Sequence, residues 1–220
     1  MQCKFIDVKA IIRANLFFFI PYLLFLIAGG CMLIANSKAN IHLEFNSFHN
    51  SFFDVFFYYT TFLGDGVTAV LAGLILLTVR YRWAIILGLS NIISAAITQI
   101  LKHTIFSDVV RPKKFFEGVH DLYFVPNVDN YLYNSFPSGH STCAFALYLS
   151  IALITKNKAL KFGCILLALI VGYSRIYLSQ HFLEDVYAGS LIGVITTLFV
   201  FMFMQRAQAP WLNRSLINRK

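Results

Sequence analysis

The chain has 220 residues, 58% of them hydrophobic and 13% charged, with 23 Phe and 11 Tyr; a soluble domain carries about a quarter charged residues, so lipid is the expected solvent for much of this surface. A formal net charge of +8 raises nucleic acid as a partner, but Lys and Arg fall in short clusters between apolar stretches instead of on one basic face, the distribution that membrane topology produces. Cys3, Cys31, Cys143 and Cys164 form no CxxC pair, so neither a disulfide framework nor a zinc site is expected.

The opening segment, MQCKFIDVKAIIRAN, lacks a small-residue cleavage pattern after a short apolar core, and the first apolar run is expected to stay as a membrane helix. Runs of roughly 17 to 25 apolar residues span a bilayer. Six candidates follow in order, at about 14–35, 65–79, 83–105, 138–155, 160–178 and 186–204. The second is short unless it borrows from FHNSFFDVFFYYTTFLGD before it, where Phe and Tyr mix with polar residues as they do in interfacial helices. The expectation is a single all-α domain, 1–220: an integral membrane bundle of six transmembrane helices, with an interfacial aromatic helix before the second span.

Six spans divide the basic residues into two sets. One side holds Lys4, Lys9, Arg13, Arg80, Arg82, Lys156, Lys158, Lys161, Arg206, Arg214, Arg219 and Lys220; the other holds Lys38, Lys102, Arg111, Lys113, Lys114 and Arg175. The excess on the first side predicts that both termini are cytoplasmic. Positive charge on the minority side concentrates after the third span and at the end of the fifth, where topology disfavours it. Something other than topology has to require it there. The one long connection, 107–137, is punctuated by Pro112, Pro126 and Pro137 and is the natural place for an outward-facing site.

Three stretches concentrate polar residues on that side: KHTIFSDVVRP (Lys102 to Pro112), FPSGH (Phe136 to His140) and SRIYLSQHFLED (Ser174 to Asp185). Ionisable residues near membrane depth are costly and signal function. Lys102, Arg111 and Arg175 supply three cations, and guanidinium groups grip phosphate oxygens in a bidentate way. PSGH before an apolar run reads as a helix start, with Pro137 in the first turn and the Ser138 and Gly139 N–H groups free to meet an anion. His140 and His181 titrate near neutral pH, one suited to attack and the other to proton transfer. Asp185, four residues after His181, is expected on the same helical face, fixing the tautomer of that ring. Taken singly, Lys102 or Arg111 is a snorkelling residue and His181 with Asp185 a surface pair; their conjunction on the poorly charged side is what points to a site.

These residues resemble the three-part signature of the type 2 phosphatidic acid phosphatase family, K-x6-RP, PSGH and SR-x5-H-x3-D, which vanadium haloperoxidases share more distantly. Pro137, Ser138, Gly139 and His140 complete the second part, and Ser174, Arg175, His181 and Asp185 the third. The first part departs: Lys102 precedes Arg111 and Pro112 as K-x8-RP, with Thr104 at the usual lysine position and a turn at SDVV to absorb two extra residues. The resemblance is strongest over 102–185. It implies a metal-independent lipid phosphatase, with no metal site and no cofactor, in which His181 attacks phosphorus to form a phosphohistidine and Asp185 orients it. His140 would protonate the leaving oxygen, while Lys102, Arg111, Ser138, Gly139 and Arg175 hold the phosphate.

The substrate classes it allows are undecaprenyl pyrophosphate, a lipid A phosphate, phosphatidylglycerol phosphate and phosphatidic acid. Lys113 and Lys114 are read either as contacts to a second phosphate or headgroup or as solvated loop residues. Partners are then a lipid phosphate and the bilayer, with no nucleic acid. The expected location is a bacterial inner membrane, the site facing the periplasm or exterior. The alternatives are transfer of the phosphate to a lipid or sugar acceptor, and a non-catalytic lipid-binding or transport protein.

Overall fold

A computed structural model describes residues 7–218, so Cys3, Lys4, Arg219 and Lys220 lie outside the described residues. The described residues form ten α-helices and two short 3-10 turns, with no β-strand among them. They are α1 (Val8–Ala14), α2 (Leu16–Ala35), α3 (Lys38–Asn46), α4 (Ser51–Thr60), α5 (Gly66–Val79), α6 (Tyr81–Thr104), α7 (Pro112–Phe115), α8 (Gly139–Ile154), α9 (Lys158–Tyr177) and α10 (Leu183–Arg206).

Four helices, α2, α6, α9 and α10, are long and apolar enough to cross a membrane. A fifth candidate is a bent pair, in which 51–64 and α5 meet at 54° across Asp65. The aromatic stretch and the short apolar run expected next to each other are therefore two helices joined at a break. The remaining apolar helix, α8, has only 16 residues and is about 24 Å long at 1.5 Å per residue.

Its shortness goes with its place, because α8 is the helix around which the others pack. Ala144, Phe145, Ala146, Leu149 and Ala152 are fully buried, together with Ile165, Ala168 and Val171 of α9 and Phe18 of α2. Against α10 it makes a backbone-close contact: a Cβ added at Gly189 would lie 2.6 Å from Ser138 O, and one at Gly193 2.6 Å from Thr142 O. Small residues four apart on one helix face let membrane helices approach in this way.

On the outside, Leu24 (61% exposed), Leu71 (56%), Ile92 (68%) and Phe203 (70%) present bare apolar surface. Within its most apolar window α2 is only 17% buried whereas α9 is 50% buried, so α2 is peripheral and α9 central. A continuous apolar belt around an all-helical bundle identifies an integral membrane protein.

At one end of the bundle Lys161 Nζ donates to Asn15 Oδ1 and, at 3.0 Å, to Ala152 O. Arg82 donates to the Met204 and Ala207 carbonyls, the latter at 2.8 Å, and Tyr81 N–H to Arg214 O at 2.9 Å. These cations close the last turns of α8 and α10, where carbonyls lack intrahelical partners. They also gather the starts of α2, α6 and α9 and the C-terminal segment at that end. The three polar stretches lie at the other.

Candidate active site

Each of the three stretches sits at a helix end. Lys102 occupies the last turn of α6 and is buried (7% exposed). After it the chain turns at 105–108, with Phe106 N–H returning to Leu101 O at 2.9 Å. The turn begins two residues before the SDVV stretch where it was expected. Thr104 faces out and bonds Ile100 O at 2.7 Å, so Lys102 and not Thr104 points inward.

Two backbone bonds close the base of the long loop, Arg111 N–H to Leu132 O (2.8 Å) and Ser135 N–H to Val109 O (3.0 Å). They aim the Arg111 guanidinium at the Tyr133, Asn134 and Gln180 carbonyls, at 3.0, 3.4 and 3.2 Å.

Ser138 is the N-cap of α8: its Oγ accepts from Ser141 N–H (3.4 Å) and Ser141 Oγ (2.9 Å). Pro137 therefore precedes the cap instead of entering the first turn. The Ser138 N–H, expected to be free, donates to Asp185 O at 3.0 Å; the donors that precede any intrahelical acceptor are those of Gly139 and His140. The partial positive charge of the α8 N-terminus points the same way.

The third stretch spans the α9–α10 turn. Ser179 takes a left-handed conformation (φ 52°), which reverses the chain so that the Gln180 and His181 N–H groups both donate back to Arg175 O, at 3.0 and 3.1 Å. His181 lies before the first residue of α10 and Asp185 in its first turn, so the two do not share a helical face. Instead Asp185 Oδ2 reaches back as a cap, accepting from Phe182 N–H (2.9 Å), Ser135 Oγ (2.5 Å) and the His181 ring at Nδ1 (3.2 Å).

His181 is 2% exposed and Asp185 fully buried. Burial first, and then the positive charges of Arg111, Arg175 and Lys102 with the His140 ring, hold the His181 pKa well below its ordinary value. Four residues from the three stretches thus act electrostatically on one imidazole. Burial also lowers the Arg111 pKa, although a guanidinium stays charged in proteins. Arg175 donates to Thr61 Oγ1 (2.7 Å) and Gln180 Oε1 (3.3 Å), while its buried Nε has no partner among the described residues. A buried unpaired donor on a cation suits an oxyanion.

Lys102, Arg111, Arg175, Ser138, Gly139, His140, His181 and Asp185 thus come together. Lys113 and Lys114 do not join them: Lys114 pairs with Glu117, and Lys113 lies 6.0 Å from the Phe124 ring centroid. A largely apolar cleft of about 450 Å³ between α5, α6 and α8, lined among others by Gly66, Ala69, Gly73, Asn91 and Gln99, ends at Gly139 and His140.

Sequence reasoning missed Ser135, Thr61 and Gln180. Ser135 and Gln180 lie beside or inside motifs, where a polar residue is a usable signal; Thr61 carries none. A second polar layer was also missed. Asp54 accepts from Tyr177 OH (2.6 Å) and Tyr123 OH (2.8 Å), and the His49 ring sits between those two tyrosines. Ser179 Oγ lies 3.2 Å from His42 Nε2 and accepts from Asn46 Nδ2 at 3.1 Å. The layer clamps α3, α4 and the long loop onto the turn that carries His181.

The sequence matches the PAP2 superfamily over residues 83–209, more than half of the chain. It is 35% identical over 80 residues to the lipid A 4'-phosphatase of Porphyromonas gingivalis, covering 36% of this chain and 34% of that protein. It is 33% identical over 69 residues to the undecaprenyl-diphosphatase BcrC of Bacillus subtilis, covering 31% and 35%. The chain thus matches about a third of the length of these two relatives. The structure superposes on the crystal structure of Aquifex aeolicus LpxE with a TM-score of 0.66 at 25% identity, over 74% of this chain and 93% of that one.

Proposed function

The chain belongs to the PAP2 superfamily, and from that premise we propose that it is a membrane lipid phosphatase working through a phosphohistidine. The observation that carries the proposal is the His181 imidazole, bonded at Nδ1 to Asp185 (3.2 Å) and enclosed by Lys102, Arg111 and Arg175. With Nδ1 protonated toward the carboxylate, Nε2 carries the lone pair and a depressed pKa keeps it unprotonated at neutral pH.

The cations and the α8 N-terminus bind the phosphate oxygens and stabilise charge as phosphorus passes between nucleophile and leaving group. His181 Nε2 forms the P–N bond as the P–O bond to the leaving group breaks, and His140 gives that oxygen a proton. Water, deprotonated by His140, then attacks phosphorus, breaks the P–N bond and releases inorganic phosphate.

The apolar cleft ending at His140 suits the chain of an amphipathic substrate. The substrate class is accordingly a lipid phosphate monoester or diphosphate, among lipid A, prenyl diphosphate and glycerophospholipid phosphates. The excess of basic residues at the far end supports a cytoplasmic position for that end and, with it, a site on the outer side of a bacterial inner membrane with α4 in the interface.

The test is phosphate release from a panel of these lipids by detergent-purified protein in EDTA, with His181→Ala in parallel. Release that survives EDTA and disappears in the variant supports the proposal. Equal release by His181→Ala, or none from any lipid, refutes it.

A further inference from the structure

Arg111 and Arg175 come from separate parts of the chain, carry like charges, and converge on one buried neutral residue. Gln180 Oε1 accepts from Arg111 Nη1 and from Arg175 Nη2, each at 3.3 Å. The backbone of the same residue repeats the pattern: its C=O accepts from Arg111 Nη1 at 3.2 Å and its N–H donates to Arg175 O at 3.0 Å. Its Nε2 donates to Asp129 O and Asn130 Oδ1, both at 2.7 Å. Gln180 is 3% exposed and every polar atom of its side chain is engaged. We propose that Gln180 is the positioning residue of the phosphate site, holding two arginines in register for one oxyanion without neutralising either. The inference rests on the phosphate-site reading above.

The chemistry explains why an amide stands there. Two guanidinium groups close enough to grip one phosphate repel each other until it arrives, and without a shared acceptor they would splay. A carboxylate would also accept from both, but it would discharge the pair and compete with the substrate. It would further lack the donors that Asp129 O and Asn130 Oδ1 require. The amide supplies an acceptor on one side and donors on the other, and so ties the long loop, the α9 end and the turn bearing His181 into one unit. The Gln180 side chain bonds Arg111, Arg175, Asp129 and Asn130 and not the imidazole of the neighbouring His181; it acts through the arginines.

Gln180→Met keeps the volume and removes the polar head, whereas Gln180→Glu keeps the acceptor and adds charge. Orthovanadate binding by titration calorimetry, kcat and KM on the lipid panel, and Tm in detergent are measured for both beside the wild type. Loss of hydrogen bonds to charged groups weakens orthovanadate binding by about tenfold or more in Gln180→Met, and further in Gln180→Glu, with KM rising by a comparable factor, while Gln180→Glu, which keeps the acceptor, holds Tm closer to wild type than Gln180→Met. The proposal is overturned if Gln180→Glu binds orthovanadate within about threefold of wild type, or if Gln180→Met lowers Tm while leaving that affinity unchanged, which would make the residue a loop anchor alone. A wild type that binds no orthovanadate removes the phosphate site itself, a separate failure visible before either variant is compared.

Discussion

Oδ2 of Asp185 accepts from His181, Ser135 and Phe182 N–H, while Oδ1 is buried with no partner among the described residues. One oxygen therefore both caps α10 and meets His181 Nδ1 at 3.2 Å, where, on the proposed mechanism, it would fix the ring tautomer. Asp185→Asn puts an amide where the acceptor is needed, and when the orienting carboxylate of a catalytic histidine is lost the wrong tautomer costs about 10⁴ in kcat. The expected outcome is a fall of about 10²–10⁴ in kcat with the protein still folded, read as steady-state turnover together with trapping of the phosphoenzyme. A second expectation concerns protonation. Because burial and the surrounding cations lower the His181 pKa, ¹⁵N-histidine NMR in detergent, assigned with His181→Ala, should show a neutral ring at pH 6. A ring that titrates at about 6.5, the ordinary value, would contradict the cationic enclosure.

Among elements, the α8–α10 contact decides whether the halves of the site meet, since α8 carries Ser138 and His140 and α10 carries Asp185. A Cβ at Gly193 would lie 2.6 Å from Thr142 O and 3.0 Å from Ala146 N, backbone atoms that cannot swing aside. Gly193→Ala should therefore cost about 1–3 kcal/mol, the usual range for overpacking, and lower activity by separating His140 from His181. Gly163→Ala on α9 meets nothing within 4 Å, and should be neutral or stabilising by up to about 1 kcal/mol. Thermal melts of both variants in one detergent compare them directly. The Asp65 break matters in the same way: by bending 51–64 away from α5 it brings Thr61 onto Arg175, which a straight span would not do.

The whole molecule is apolar in girth and polar at its two ends, and the ends differ. Thiol labelling with a membrane-impermeant reagent on intact cells should modify Asp108→Cys beside the site and spare Asn157→Cys in the α8–α9 turn; the reverse pattern would invert the topology. Acid stability is a second global property. Burial and the nearby His49 pull His42 down to about 4, so the unfolded chain takes up protons that the fold refuses. With both His42 and His181 depressed, stability is fully present above about pH 6.5 and falls as pH drops toward their folded values, by on the order of 3 kcal/mol for His42 alone at its limit. A Tm that declines from pH 6.5 to 4, and declines less in His42→Gln, is the expected record.

Much of this was legible before any coordinates. Apolar runs long enough to cross a bilayer announce membrane helices whatever surrounds them, and Arg111, His140, Arg175, His181 and Asp185 stood out because ionisable residues are costly near membrane depth. The sequence by itself determined that the fold is all-helical and membrane-embedded and which residue types are available at one end; it expected six spans where the structure has four long apolar helices and one bent pair. Only the tertiary structure decided that Lys102 turns inward while Thr104 faces out, and that Asp185 grips His181 as a cap instead of across a helix face. It alone placed Gln180 between two arginines 69 and 5 residues away. Hydropathy and spacing report how each residue relates to its own helix. Which side chains share a dry, charged space depends on how close α8 and α10 approach and where the loops close, and those distances are set by packing between segments far apart in the chain.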